Sequence, residues 1–202
     1  MAVVAVVLAA FFLLSSILLG FGMNTNYNLF DAFGSQDQAQ QQNQAPSPQD
    51  AIDEAKKDLE NNPKDPDAVT DLAGLYAQNG QYDDAAKVLR EGRETAPKDA
   101  EIPALLGSVY QQQAAGVEPK EQKELYGKAG DSFATAAELD PKNEDLYAAA
   151  GQNYDQAGET AEAIKYYNGY LDREPNGQNS KAIEERISAL LEGGEETTGV
   201  QP

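Results

Sequence analysis

A repeated spacing of about 34 residues is the feature of this sequence that most constrains its fold. Proline recurs along the chain at Pro63, Pro97, Pro141 and Pro175. Tyrosine keeps step with it at Tyr76, Tyr110 and Tyr154. The prolines are separated by 34, 44 and 34 residues and the tyrosines by 34 and 44, so one unit contains ten extra residues. A period near 34 residues is typical of stacked helical repeats, in which each unit buries its apolar face against its neighbours. The sequence therefore predicts an all-α solenoid of about three repeats.

Within each unit the pattern predicts two antiparallel helices. A small residue precedes each repeated tyrosine by three positions, at Ala73, Gly107 and Gly151. Only Gly or Ala lets two helices approach closely, so we expect tight helix contacts at these positions. Gly80 and Gly158 fall between the helices, where a chain reversal favours a residue that tolerates positive φ. The repeated prolines end each second helix, because proline cannot continue it.

These recurring small, tyrosine, alanine and proline positions resemble the tetratricopeptide repeat (TPR) over roughly residues 50–177. The resemblance implies a helical-hairpin solenoid with a right-handed superhelix and a concave groove, lined by the first helix of each unit, that binds a segment of another protein. One departure is that the tryptophan common early in the family's first helix is replaced by Val69, Pro103 and Tyr147. Pro103 is tolerated there because it falls in the first turn of a helix.

Segments on either side of the repeats are predicted to cap the stack. Residues 50–62 are interpreted as a lone second helix, and residues 180–192 as an amphipathic helix with Ser180 as its N-cap. The predicted repeat domain is thus 50–192, followed by a disordered tail at 193–202. The ten extra residues lie near Gly116 and Pro119, and residues 118–139 are predicted to form one long second helix. A projecting feature that contacts a partner is the alternative for this insertion.

The first 23 residues are predicted to be a transmembrane anchor or signal-anchor. From residue 2 to residue 23 the chain is uncharged and apolar except for Ser15 and Ser16, and it would span roughly 33 Å as a helix. A cleaved signal peptide, leaving a secreted domain, is the alternative, because Gly20 and Gly22 resemble a cleavage site. The length of the run and the absence of a preceding Lys or Arg favour the anchor.

A disordered linker rich in Gln and Pro, at residues 24–49, is predicted to follow this anchor. No Lys or Arg occurs before Lys56, and the flank that follows the anchor carries Asp31 and Asp37 instead. A flank without basic residues crosses the membrane more easily than a basic one, so we predict a single-pass protein with its soluble domain outside the cytoplasm.

Composition removes several classes of function. The net charge of −19 opposes binding to nucleic acid or to anionic lipid headgroups. The chain has no Cys and no His, so it lacks a thiol nucleophile, the commonest general base and the commonest transition-metal ligand. We find no phosphate-binding loop and no calcium loop, and therefore expect no enzyme activity, no metal site and no cofactor.

The predicted site is the concave groove that the family resemblance implies. Its lining is expected to be polar, mildly acidic and free of Lys and Arg. It comprises Asp67, Thr70, Gln78, Glu101, Ser108, Gln111, Gln112, Asp145, Gln152, Asp155 and Gln156. Such side chains suit an extended peptide backbone or the basic side chains of a protein partner.

We therefore expect a membrane-tethered adaptor that binds a protein or extended peptide, in envelope assembly or secretion. A holdase-like chaperone for translocating chains and a structural subunit of a membrane complex are the alternatives.

Overall fold

The computed structural model describes residues 47–197, which form eight α-helices and no strand. The helices are α1 (Pro48–Asn61), α2 (Pro66–Gln78), α3 (Tyr82–Thr95), α4 (Glu101–Ala114), α5 (Pro119–Leu139), α6 (Glu144–Ala157), α7 (Thr160–Leu171) and α8 (Ser180–Thr197). Each helix packs against the next one along the chain, as expected for a solenoid of helical hairpins. The pairs α2–α3, α4–α5 and α6–α7 are the three predicted repeats, and α1 and α8 flank them.

Short polar side chains and glycines set the ends of the helices. Ser47 and Asp50 form a reciprocal capping box at the start of α1, and the Asp99 carboxylate accepts two backbone N–H bonds at the start of α4. The two predicted turn glycines do adopt positive φ, +74° at Gly80 and +84° at Gly158. These residues place the reversals between α2 and α3 and between α6 and α7 where the sequence predicted them.

The predicted close contacts at the small residues are confirmed. A methyl group added at Gly107 would lie 2.7 Å from ring atoms of Phe133, and one at Gly151 would lie 2.6 Å from the ring of Tyr167. In the first repeat, Ala73 is completely buried at the equivalent position. In the second and third repeats, the backbone of the first helix is therefore in direct contact with a large side chain of its own second helix.

The insertion is accommodated mainly by α5, which has 21 residues where α3 has 14 and α7 has 12. This confirms the long second helix predicted for residues 118–139. Its first turn is exposed, but Leu125 is buried in the same apolar cluster as Tyr110 and Ala114, so the added segment is packed against the domain.

The structure corrects the predicted ends of the domain. Helix α8 continues to Thr197, so five residues of the predicted tail 193–202 are helical, and α1 already begins at Pro48, inside the predicted linker 24–49. Ser180 is also not an N-cap: its hydroxyl donates to the backbone carbonyl of Glu174, because the side chain is buried under the α7–α8 connection.

The predicted anchor at 1–23 and most of the predicted linker lie outside the described residues. Among residues 47–197, no helix has both the length and the apolar character needed to cross a membrane.

Candidate functional site

The first helices of the repeats line the inner side of the solenoid. Helix α2 packs against α4 as well as against its own hairpin partner, whereas the second helices α3 and α5 make no comparable contact. Between the first two repeats the stack is therefore narrower on the side of α2 and α4. The repeat pattern assigns α6 to the same side, which is the groove that the family resemblance implies.

Charge is divided unequally between the two sides of the solenoid. Helices α2, α4 and α6 contain no Lys or Arg. Their carboxylates are Asp67, Asp71, Glu101, Glu144, Asp145 and Asp155. The cations among residues 47–197 belong to α1, α3, α5, α7, α8 and the connecting loops. The inner helices thus carry only negative charge.

An acidic patch, formed by Asp67, Asp71 and Glu101, lies where α2 meets α4. Partial loss of hydration, followed by repulsion from Asp99, Asp67 and Asp71, raises the pKa of the Glu101 carboxyl. Partial loss of hydration and then the charge of Asp67 raise the pKa of the Asp71 carboxyl. None of the three residues belongs to the ion pairs found within residues 47–197. A positive group placed here would relieve the repulsion.

The third repeat presents Asp145 at the position that Asp67 and Glu101 occupy in the first two. Each of these residues precedes the repeated tyrosine of its unit by nine positions. The pKa of Asp145 is raised by partial burial and then by the neighbouring charge of Glu144. The same first-turn position of every inner helix therefore carries a carboxylate.

Asp155, at the other end of α6, is engaged by the C-terminal helix. The Arg186 guanidinium donates from Nε to Oδ2 and from Nη2 to Oδ1, both at 2.6 Å. The Tyr167 hydroxyl donates to the same Oδ2 at 3.3 Å. The bonds to Asp155 raise the pKa of Arg186 still further above its ordinary value. The expectation that the groove lining has no Lys or Arg is therefore incorrect at this end, because α8 brings an arginine to it.

The remaining predicted groove residues differ in their exposure. Gln78 and Gln156 are exposed, whereas Gln111, Gln112 and Gln152 are half-buried. Thr70 is buried and its hydroxyl donates to the carbonyl of Asp67, and the half-buried Ser108 donates to the carbonyl of Ala104. Thr70 and Ser108 satisfy their hydroxyls within their own helices, so the groove's polar character comes mainly from its carboxylates and glutamines.

Three residues that the sequence analysis did not select complete this surface. Asp71 follows Asp67 by four residues and so lies on the same helix face, a signal that was available in the sequence. Arg186 and Tyr167 reach Asp155 from α8 and α7. Their role depends on how α8 docks, which spacing alone does not determine.

A separate depression lies between α3, α4 and α5. It is crossed by a hydrogen bond from Arg90 to the Tyr110 hydroxyl at 2.9 Å and one from Gln113 to Asp83 at 2.9 Å. Its lining mixes both signs of charge, and four of its polar side chains are paired by these two hydrogen bonds. Within residues 47–197, no group of three or more acidic side chains is placed to hold a metal ion.

Comparison with known proteins agrees with this architecture. Residues 44–109 match the family model described as tetratricopeptide repeat. The crystal structure of MamA superimposes with a TM-score of 0.52 at 22% identity, covering 76% of this chain and 92% of that one. The fold is a tetratricopeptide repeat solenoid. A thermophilic TPR protein of Thermus thermophilus has a TM-score of 0.50 at 19% identity, covering 72% of this chain and 74% of that one. At these identities the similarity shows the fold alone.

A sequence relative also shares part of the repeat array. Anaphase-promoting complex subunit 3 of Dictyostelium discoideum is 40% identical over 95 residues, or 47% of this chain. The chain spans only 9% of that protein's length. The family model, this relative and the solved structures agree on repeats of the tetratricopeptide type in this chain.

Proposed function

We propose that this TPR protein is an adaptor that holds an extended, positively charged segment of another protein in the groove of α2, α4 and α6. The observation that carries the proposal is the division of charge, because the inner helices contain carboxylates and no Lys or Arg. Carboxylates pair with Lys and Arg through charge-assisted hydrogen bonds, and glutamine side chains pair with an extended backbone. The groove therefore matches a basic segment better than an acidic one.

The acidic patch strengthens the case for a basic partner. Asp71 and Glu101 are partly desolvated and are repelled by the charge of Asp67, and both effects raise their pKa values. An approaching cation would remove this repulsion, so part of the binding free energy would come from relief of an unfavourable arrangement in the free protein. Complementary charge would also accelerate association.

A holdase-like chaperone is less well supported by the same surface. Among residues 47–197, the large apolar side chains that are exposed are Leu139, at 37%, and Leu191, at 56%. Neither residue is on α2, α4 or α6. A holdase needs a broad apolar surface to hold unfolded clients, which favours the adaptor over the chaperone.

Attachment to a membrane through residues 1–23 is part of the proposal and rests on their uncharged, apolar sequence. A tether would confine the groove to the neighbourhood of the membrane, with the domain outside the cytoplasm, and so raise its effective concentration near membrane partners. A setting in envelope assembly or secretion is likewise proposed, by analogy of architecture alone.

Photo-crosslinking in intact membranes tests the adaptor function, with the probe at Gln112 or Gln156 and mass spectrometry of the adducts. We expect one or two discrete partners whose adducts become weaker when Asp67→Asn and Glu101→Gln are combined. The matched control combines Asp84→Asn with Glu91→Gln, which removes the same charges from exposed positions on α3. A broad range of clients, or an equal loss of adducts in both double variants, would contradict the proposal.

A further inference from the structure

The end of the groove at α6 contains a preformed acceptor for a guanidinium group. Asp155 presents both carboxylate oxygens to Arg186, which binds them side-on with two bonds of 2.6 Å. The Asp155 side chain is 10% exposed, whereas that of Arg186 is 41% exposed. In the formed pair the carboxylate is therefore nearly covered, whereas the arginine stays partly exposed to solvent.

Residues other than those of α8 hold this carboxylate in place. The Tyr167 hydroxyl donates to Asp155 Oδ2 at 3.3 Å, and the Tyr167 ring is buried against Gly151. Asp155 and Gly151 belong to α6 and Tyr167 belongs to α7, so the acceptor is built by the third repeat itself. It would keep its geometry if α8 moved away.

Helix α8 is attached less extensively than the other helices. It packs against α7, at the end of the stack, whereas the helices inside the solenoid pack against a neighbour on each side. Ile183 is buried, but Ile187 and Leu190 are half-buried and Leu191 is exposed. An element with few buried apolar contacts opens at lower free energy than the core of its domain. The Arg186–Asp155 pair adds a polar contact between α8 and α6 to this limited apolar packing.

We infer that Asp155 and Tyr167 form an arginine-binding subsite of the groove, which Arg186 of α8 occupies in the free protein and which an arginine of the partner segment takes over on binding. This inference rests on the proposed function and extends it, because it names the side chain that the partner presents at this end. Arginine is specified over lysine because the planar guanidinium can donate two parallel bonds to one carboxylate. Helix α8 would then act as an internal competitor that lowers the affinity of the groove.

The test compares two full-length variants that remove one positive charge from α8. Arg186→Gln removes the arginine that is bound to Asp155. Lys181→Gln is the control: the Lys181 side chain is 88% exposed, and its one ion pair within residues 47–197 is with Glu185. The probe is a fluorescein-labelled peptide of three Arg-Gly-Ser units, and its lysine counterpart is the second probe. We expect the arginine peptide to bind Arg186→Gln at least about five-fold more tightly than Lys181→Gln, a usual size for coupling between two groups.

Three further results decide the inference. The gain should be smaller for the lysine peptide, and adding Asp155→Asn to Arg186→Gln should abolish it. In the wild-type protein, the arginine peptide should increase amide hydrogen exchange across residues 180–192. Equal affinity of Arg186→Gln and Lys181→Gln, or unchanged exchange of α8, would overturn the inference.

The same peptide separates this inference from the proposed function. One outcome is that the double variant Asp67→Asn/Glu101→Gln binds the peptide more weakly than the wild-type protein, while the two α8 variants bind it equally. The groove function then stands and the competing role of Arg186 fails. If the double variant binds the peptide as tightly as the wild-type protein, the groove function fails as well. If circular dichroism shows that Arg186→Gln is poorly folded, Arg186→Lys is used in its place. Lysine keeps the positive charge but cannot form the two parallel bonds to Asp155.

Discussion

At the scale of single residues, the fold depends on glycines that receive large side chains. A Cβ at Gly151 would lie 2.6–3.1 Å from three ring atoms of Tyr167. That ring is buried and its hydroxyl is bonded to Asp155, so it has little freedom to move. We expect Gly151→Ala to lower the free energy of unfolding by about 1–2 kcal/mol and Gly151→Leu by about 1–3 kcal/mol or more.

Gly116→Ala is the matched control for this substitution, and urea unfolding is the measurement. The nearest atom to a Cβ at Gly116 is 4.0 Å away, so alanine should be neutral there or stabilise by a few tenths of a kcal/mol. If Gly151→Ala and Gly116→Ala unfold at the same urea concentration, the close contact between α6 and α7 is not important for stability.

Residue-scale features were predictable where the repeat itself dictates them. Gly107, Gly151, Gly80 and Gly158 could all be assigned from their position in the period, because close approach and chain reversal recur at fixed points of each unit. The partner of Asp155 could not be assigned. An arginine 31 positions away reaches it only because α8 docks on α7, and this docking depends on tertiary packing, which a pattern of spacings does not contain.

At the scale of elements, the extended helix α5 offers a test of whether the insertion belongs to the core. Leu125 is 4% exposed and lies within the inserted segment, in the cluster with Tyr110 and Ala114. We expect Leu125→Ala to reduce stability by about 2–4 kcal/mol, because it removes buried methyl groups and leaves a cavity. Thermal and urea unfolding of the purified protein measure the effect.

The nearby substitution Lys123→Ala is the control, since that side chain is exposed on the same helix. It should change stability by less than about 0.5 kcal/mol. If Leu125→Ala were as mild as Lys123→Ala, the first turns of α5 would behave as the projecting feature that the sequence left open.

The elements themselves were largely predictable, and their ends less so. The repeat period, the glycines in the turns and the prolines that end each second helix predicted the positions of the three hairpins and of the long α5. The end of α8 was placed at residue 192, where the amphipathic pattern stops, yet the helix continues through Gly193 and Gly194 to Thr197. Glycine lowers helix propensity by only about 1 kcal/mol, which neighbouring helical turns can outweigh.

At the scale of the whole molecule, the net charge of −19 is known from composition, but its division between two faces is not. The sequence showed an acidic chain. The repeat register added the prediction of a groove lining without Lys or Arg, and the bounds of the helices show that α2, α4 and α6 contain none. Composition averages over both faces and therefore predicts solubility rather than the sign of a binding surface.

This uneven charge makes stability depend on pH in a direction that can be worked out. Burial and neighbouring carboxylates raise the pKa values of Asp71 and Glu101 above their ordinary values of 3.8 and 4.5, and burial also raises that of Asp145. A carboxyl with a higher pKa in the folded state than in the unfolded state binds protons preferentially when folded. Its stabilising contribution is complete below the unfolded pKa and is lost as the pH rises through the folded pKa. We therefore expect this contribution to Tm to decrease as the pH rises from about 4 to about 7.5.

Not every carboxyl acts in this direction, so the acidic patch needs its own control. The pKa of Asp50 is lowered by its hydrogen bond to the Ser47 side chain. The contribution of Asp50 to folding stability is therefore lost as the pH falls. Combining Asp71→Asn with Glu101→Gln removes two of the raised carboxyls. The double variant should have a higher Tm than the wild type at about pH 7.5 and a smaller change between the two pH values. An unchanged pH dependence would mean that the patch is not under electrostatic strain, and it would remove the reason to expect that a basic segment is drawn to this end of the groove.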